Sequence, residues 1–166
     1  MIFIFPINTF AKIEPTGWTG HGLYMIQGDG LILRSVNISI SINSDQTATI
    51  EGEYEVENNT RETIHGFFGV PEHEVELMNF KSWITPYAYN NKKISGNSIN
   101  KQIKGLKSDY KNWRTWASPF KSGDKRTVIF TYKVENKLLS DSQYLISYQM
   151  DHINYWQGKP SVNVEV

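Results

Sequence analysis

From Val36 the chain alternates strictly, with Val36, Ile38, Ile40 and Ile42 apolar and Asn37, Ser39, Ser41 and Asn43 polar. A period of two predicts a β-strand with one buried face. Ser44-Asp45-Gln46 supplies turn chemistry. The alternation then resumes, with Ala48, Ile50, Gly52, Tyr54 and Val56 inward and Thr49, Glu51, Glu53, Glu55 and Glu57 outward, until Asn58-Asn59 ends it. Two alternating runs joined by a short polar turn predict a β-hairpin.

A third run, Ile64 to Val70, closes at Pro71, and its glycines predict a bulge or a close backbone approach. Glu74 to Tyr89 carries Val75, Leu77, Phe80, Trp83 and Ile84 as apolar positions. Asn90-Asn91-Lys92-Lys93 then reads as a turn, with a return strand starting at Ile94. Between Ser98 and Trp116 the pattern is mixed. Ile99, Ile103, Leu106, Tyr110 and Trp113 recur at helical spacing, but Gly105 and Lys107-Ser108-Asp109 break it. Irregular hairpin and loop is the expectation, with a short helix as the alternative. Strand signals return at Val128, Phe130, Tyr132 and Val134, at Tyr144, Ile146, Tyr148 and Met150, and at Val162, Val164 and Val166.

About seven short strands with regular turn signals predict an all-β fold, a two-sheet antiparallel β-sandwich of immunoglobulin-like or related type. One short helix is allowed in the 98–114 region. Residues 31–166 are expected to form this single domain. The last run stops on its third inward valine, which suggests that the natural chain or domain continues. Residues 1–30 form a leading segment. Its start, MIFIFPINTFA, fits the tail of a secretion signal that lacks a basic n-region, or a first strand interrupted by Pro6.

Composition sharpens the picture in three ways. The aromatic share of 13% in a chain only 20% charged suits pleated sheets. Cysteine is absent, which excludes disulfide frameworks, thiolate metal sites and cysteine nucleophiles. No stretch after the leading segment approaches the roughly 20 apolar residues of a membrane-spanning helix. The net charge is zero but unevenly placed: residues 1–90 carry −7, residues 91–126 carry +8 and residues 127–166 carry −1.

Catalytic motifs are not found: the sequence has no GxSxG elbow, no HExxH and no phosphate-binding Gly-rich loop. Gly28-Asp29-Gly30 reads as a turn. His73 sits among Glu72, Glu74 and Glu76, but on a strand the carboxylates would share one face and the imidazole the other, so no metal site is assigned. Glu51, Glu53, Glu55 and Glu57 form a carboxylate row expected to meet water or basic neighbours such as Lys133. Such a row, like Glu72 and Glu74, would serve a carboxylate-dependent hydrolase only if it lined a cleft.

The basic segment is the candidate contact surface. Lys107, Lys111 and Arg114 are interleaved with Tyr110, Trp113 and Trp116, and Trp156 follows later. Rings amid cations can stack on sugars and hold anionic polymers. Nucleic acid is not expected, because the rest of the chain is acidic and no nucleic-acid-binding signature is present. The competing view places the rings in the core and the lysines at solvated loop tips.

SVNISISIN, TATIEGEYEVENNT and HGFFGVPE, followed by NWRTWASPFKSGDKRTVIFTYKV and YWQGKPSVNVEV, together resemble bacterial exported domains of unknown function. The resemblance covers most of the chain after Leu31. It implies an immunoglobulin-like or related sandwich in the cell envelope or outside the cell, with no catalytic residues or cofactor to carry over. The expectation is a non-catalytic domain that binds a protein, an anionic polymer or a glycan. A carbohydrate-binding module is the first alternative, requiring Trp113, Trp116 or Trp156 to be exposed in a coplanar row. A hydrolase is the second.

Overall fold

The computed structural model describes residues 2–3, 19–72, 77–135, 137–140 and 143–166. His73, Glu74 and Glu76, and all of the leading segment from residue 4 to residue 18, lie outside the described residues. The signal reading of residues 1–11 therefore has only Ile2–Phe3 described, and these form a short strand, β1, parallel to the strand at 143–149.

The hairpin read from alternation is present. Strands β4 (Leu31–Ile42) and β5 (Thr47–Asn58) pair antiparallel with Ile40 opposite Ile50 and Val36 opposite Tyr54. Asp45 fixes the turn by accepting a hydrogen bond from the Thr47 N–H at 3.2 Å. One expected inward residue departs: Ile42 is 59% exposed, because it closes the hairpin beyond the reach of the facing layer. Strand β11 (Lys125–Glu135) joins the other edge of β5, placing Val128, Phe130, Tyr132 and Val134 beside the buried row of β5. Strands β7 (Met78–Ile84) and β8 (Tyr87–Tyr89) continue the sheet on that side, and β14 (Ser161–Glu165) adds to β4 on the other. The β14–β4 pairing is parallel, Val162 opposite Val36 and Val164 opposite Ile38, an exception to the antiparallel rule of the remaining ladders of this sheet.

A four-stranded sheet faces this one. It runs β3 (Tyr24–Gln27), β6 (Ile64–Glu72), β10 (Asn112–Phe120), β9 (Lys92–Ser95). Strand β6 continues through Pro71, which pairs with Trp113 of β10. Strand β3 reaches only as far as Gly69, so the proline's missing N–H costs no ladder bond on that side. A third group, β2 (Thr19–His21), β12 (Lys137–Ser140) and β13 (Gln143–Gln149) with β1, closes one end. The sandwich thus takes in residues 19–27, ahead of Leu31, and Leu23 to Ile26 are buried in it.

Between the two main sheets lies an aromatic-rich core. Phe68, Trp116 and Phe120 of the smaller sheet meet Tyr54, Phe130 and Tyr132 of the larger. Phe80 stacks on Phe130 and Tyr132 with interplanar angles of 5° and 12°. This packing of two pleated faces bears out the all-β sandwich expectation.

The smaller sheet also buries its outer face. Tyr24, Ile26 and Trp113 form a second cluster with Ile99, Ile103 and Tyr110. Residues 96–110 fold over that face as a cover, beginning with a single helical turn, α1 (Gly96–Ile99), then continuing as successive tight turns with Gln102 N–H donating to Ile99 O at 2.8 Å and Leu106 N–H to Ile103 O at 3.2 Å. The helical spacing of Ile99, Ile103, Leu106 and Tyr110 is therefore real as one-sided burial, although only one turn of helix forms. Gly69 of β6 lies directly beneath: a Cβ there would sit 2.8 Å from Ile26 and 3.0 Å from Trp113, the close approach its glycine predicted.

Candidate functional site

The sequence-predicted contact residues separate into two groups. Tyr110 and Trp113 are core residues of the second cluster, and Trp116 and Trp156 belong to the main core. The Trp113 indole N–H donates to Asn100 Oδ1 at 2.9 Å, and that of Trp156 to the Leu23 carbonyl at 2.8 Å. An exposed coplanar row of indoles is thus corrected: the rings pack inward because they are the largest apolar surfaces the sheets can bury. Lys107 and Lys111 project from the cover into solvent. Arg114 is half-buried and its Nε donates to Glu72 Oε1 at 2.7 Å, while Lys93 approaches the other Glu72 oxygen at 2.8 Å. Glu72 is only 3% exposed, and two cations hold it in place at the end of β6.

The carboxylate row lies along the outer, solvent side of the larger sheet. Glu57 pairs with Arg34 at 2.8 Å and Glu55 with Lys125 at 3.0 Å, and the Arg34 guanidinium holds the Glu57 carboxyl below its usual range. Lys133, the expected neighbour, pairs instead with Asp45 at 3.5 Å, since its register places it opposite Thr49. Glu55 and Glu57 are taken up by these ion pairs, while Glu51 and Glu53 border a hollow of about 320 Å³ with Glu165 of β14, on the far side of β4.

A buried polar seam runs beneath the junction of β3, β5 and the single-turn 3-10 helix η1 (Asp151–Tyr155). His152 Nδ1 lies 3.1 Å from the Gln149 carbonyl, to which it can only donate. Nε2 is then the acceptor for the Tyr54 hydroxyl at 2.6 Å. Tyr54 in turn accepts from the Leu23 N–H at 3.2 Å and from Tyr148 at 3.4 Å. Tyr132 accepts from His21 N–H and donates to His21 O, both at 2.9 Å. Nearer the surface, the Tyr24 hydroxyl donates to Asp151 Oδ1 at 3.0 Å and meets Tyr110 at 3.1 Å. Burial pushes His152 down to about 3 and raises the Tyr24, Tyr54, Tyr132 and Tyr148 hydroxyls, and burial also raises the Asp151 carboxyl. The imidazole is neutral, fully enclosed and bonded at both nitrogens. It ties η1 to β5 from within the core.

Beside this seam opens a cleft of about 300 Å³. Its floor is apolar: Met25 and Ile26 from β3, Ile103 from the cover, and Trp156 after η1. The rim is polar and carries four carboxamides, Gln27, Gln102, Asn154 and Gln157, with Asp29 and Lys104 beside them. Three features of the sequence converge here. The Gly28-Asp29-Gly30 turn carries β3 past one wall; both glycines have positive φ, 141° and 98°, where only glycine is at ease. The cover supplies Gln102 and Lys104. The Gln157 carbonyl accepts from Leu33 N–H at 2.9 Å, which fixes the third wall to β4. Gln27 Nε2 donates to Gln102 Oε1 at 3.0 Å, and the Gln102 amide nitrogen donates to the Ser98 carbonyl. Tyr155 stands at the edge with its hydroxyl on Gly105 O at 3.3 Å.

Of the predicted contact residues, Trp156 alone lines this cleft. Sequence reasoning missed the carboxamides. They are uncharged, scattered over residues 27–157 and without a shared motif, so nothing short of the fold assembles them.

Fold and cleft together define a two-layer β-sandwich with a small lateral cleft and a buried, neutral polar seam. The fold has a solved counterpart at TM-score 0.69, a Legionella pneumophila protein described as a "putative nutrient binding protein". The two are 12% identical in sequence, and the likeness covers 86% of this chain and 51% of the other, so the chain spans about half that protein's length. No protein-family model matches the sequence, and no curated protein matches it.

Proposed function

We propose that this chain is a non-catalytic, extracytoplasmic binding domain that takes a small ligand in the cleft between β3, the 96–110 cover and residues 154–157. The observation that carries this reading is the cleft's division into an apolar floor and a carboxamide rim, the usual composition of a specific small-molecule site. The binding role ascribed to the structural neighbour supports it. So does the placement of the titratable groups: His152 is enclosed, and the Glu51–Glu57 row lies on the outer face of the larger sheet, where Glu51 and Glu53 border a separate hollow with Glu165, so neither reaches the cleft. The extracytoplasmic location is supported by the resemblance of the chain to exported envelope domains.

The test is chemical-shift mapping of the amide spectrum against pooled small metabolites. Saturable shifts confined to Gln27, Gln102 and Gln157 and their neighbours are expected. Shifts scattered over the surface, or turnover on a hydrolase panel abolished by one substitution, would overturn the reading. Fractionation of the source cells tests location, with the chain expected in the envelope or medium.

A further inference from the structure

Resting on the cleft as the binding site, we infer that its ligand is a neutral, hydroxyl-rich ring of about monosaccharide size. Three observations converge on that class. First, the polar rim is built from groups of one kind. A carboxamide offers donors and an acceptor side by side, and a sugar hydroxyl does the same, so the two pair without either carrying charge. Gln102 is held in orientation at both ends, accepting from Gln27 and donating to Ser98. One amide N–H and one lone pair remain for a ligand.

Second, the charges at the rim, Asp29 and Lys104, cancel, leaving no net field to favour an anion or a cation. Third, the floor is apolar while the rim is polar. A pyranose has the complementary division, C–H bonds on its ring faces and hydroxyls around its edge. Trp156 and Tyr155 border the space, and aromatic rings pack well against such C–H faces. The volume, about 300 Å³, stands at the lower end of small-molecule sites, roughly 300–1,000 Å³, and holds one ring more readily than a chain.

This site differs from a surface platform of stacked indoles. Specificity here comes from hydrogen bonding at the rim, and Trp156 borders the space from the core side. The Gln27–Gln102 bond is exposed and spans the mouth, so a hydroxyl can replace it at little cost.

Calorimetry on the intact chain provides the test, with glucose, galactose, mannose and N-acetylglucosamine in one arm and glycine, glutamine and arginine in the other. One sugar is expected to bind saturably at one site per chain. Gln102→Ala and Gln157→Ala, both exposed and remote from the core, are each expected to weaken it about tenfold, the loss of one or two hydrogen bonds. Lys104→Ala is expected to change it less than twofold. Binding by the amino acids alone, abolished by Lys104→Ala, overturns the sugar assignment and leaves the cleft as the binding site. Sugar binding untouched by both Gln substitutions also overturns it. Silence in both arms, together with silence in the shift mapping, removes the cleft reading itself.

Discussion

His152 shows how far a single residue's role depends on burial. Its imidazole is 0% exposed and held neutral, with its pKa lowered to about 3, whereas in the unfolded chain it titrates near 6.5. Between those values the unfolded chain carries a proton the folded chain lacks, so stability is fully present above 6.5 and is lost as pH falls below it. The expected loss between pH 7 and pH 5 is about 2 kcal/mol, read as a fall in the urea midpoint. Asp151, whose carboxyl burial raises, contributes with the opposite sign. The comparison with His152→Gln therefore isolates the imidazole, and that variant should lose less than half as much. A wild-type midpoint flat across this range would mean that the ring is not enclosed as described. In the sequence, Tyr54 could be assigned to an inward face. Its partner, 98 residues away, could not be assigned, because alternation reports which side a residue faces and says nothing of what it meets.

At the scale of elements, strands were legible and their covering segment was not. The β4–β5 hairpin could be read almost residue by residue, since each strand buries one face and water holds the other to polar side chains. The cover over 96–110 has the burial signature of a helix without the backbone of one, because Gly96, Gly105 and the turn-forming residues between them favour separate bends. It is anchored by close approach. A Cβ on Gly96 would collide with the Tyr110 carbonyl, and the Asn100 side-chain amide donates to that same carbonyl at 2.8 Å. Gly96→Ala is therefore expected to lift the cover while leaving the sandwich folded. Amide exchange should quicken across residues 96–111 by at least about tenfold, a loosening of some 1.4 kcal/mol, with β4, β5 and β11 unchanged. Exchange that quickens equally in all strands would show that the cover and the sandwich are one cooperative unit.

For the whole molecule, the sequence indicated two packed sheets but not their wiring. Strand β5 lies beside β11, some seventy residues on, and β4 lies between β5 and the last strand, β14, to which it is parallel. Period-two patterns are the same for every such arrangement, so strand order had to come from the structure. These remote pairings must close long loops before they bring any gain, which places folding on the millisecond-to-second scale typical of sandwiches, about a thousandfold slower than helical bundles. Stopped-flow circular dichroism in the far ultraviolet checks this, and a microsecond phase carrying the full amplitude would contradict the topology.

Trp156 belongs to the cleft and to the core at once. It is among the residues that line the cleft, and its ring stacks on Phe68 and Tyr54 at interplanar angles of 16° and 26°. Mutational drift at this position is therefore tethered, because any new residue must satisfy the sandwich before it can suit a different guest. Under the proposed binding role, divergence in ligand preference among descendants of this chain has its freedom elsewhere, at the exposed Gln27, Gln102, Asn154 and Gln157, where a change of side chain leaves the sandwich undisturbed.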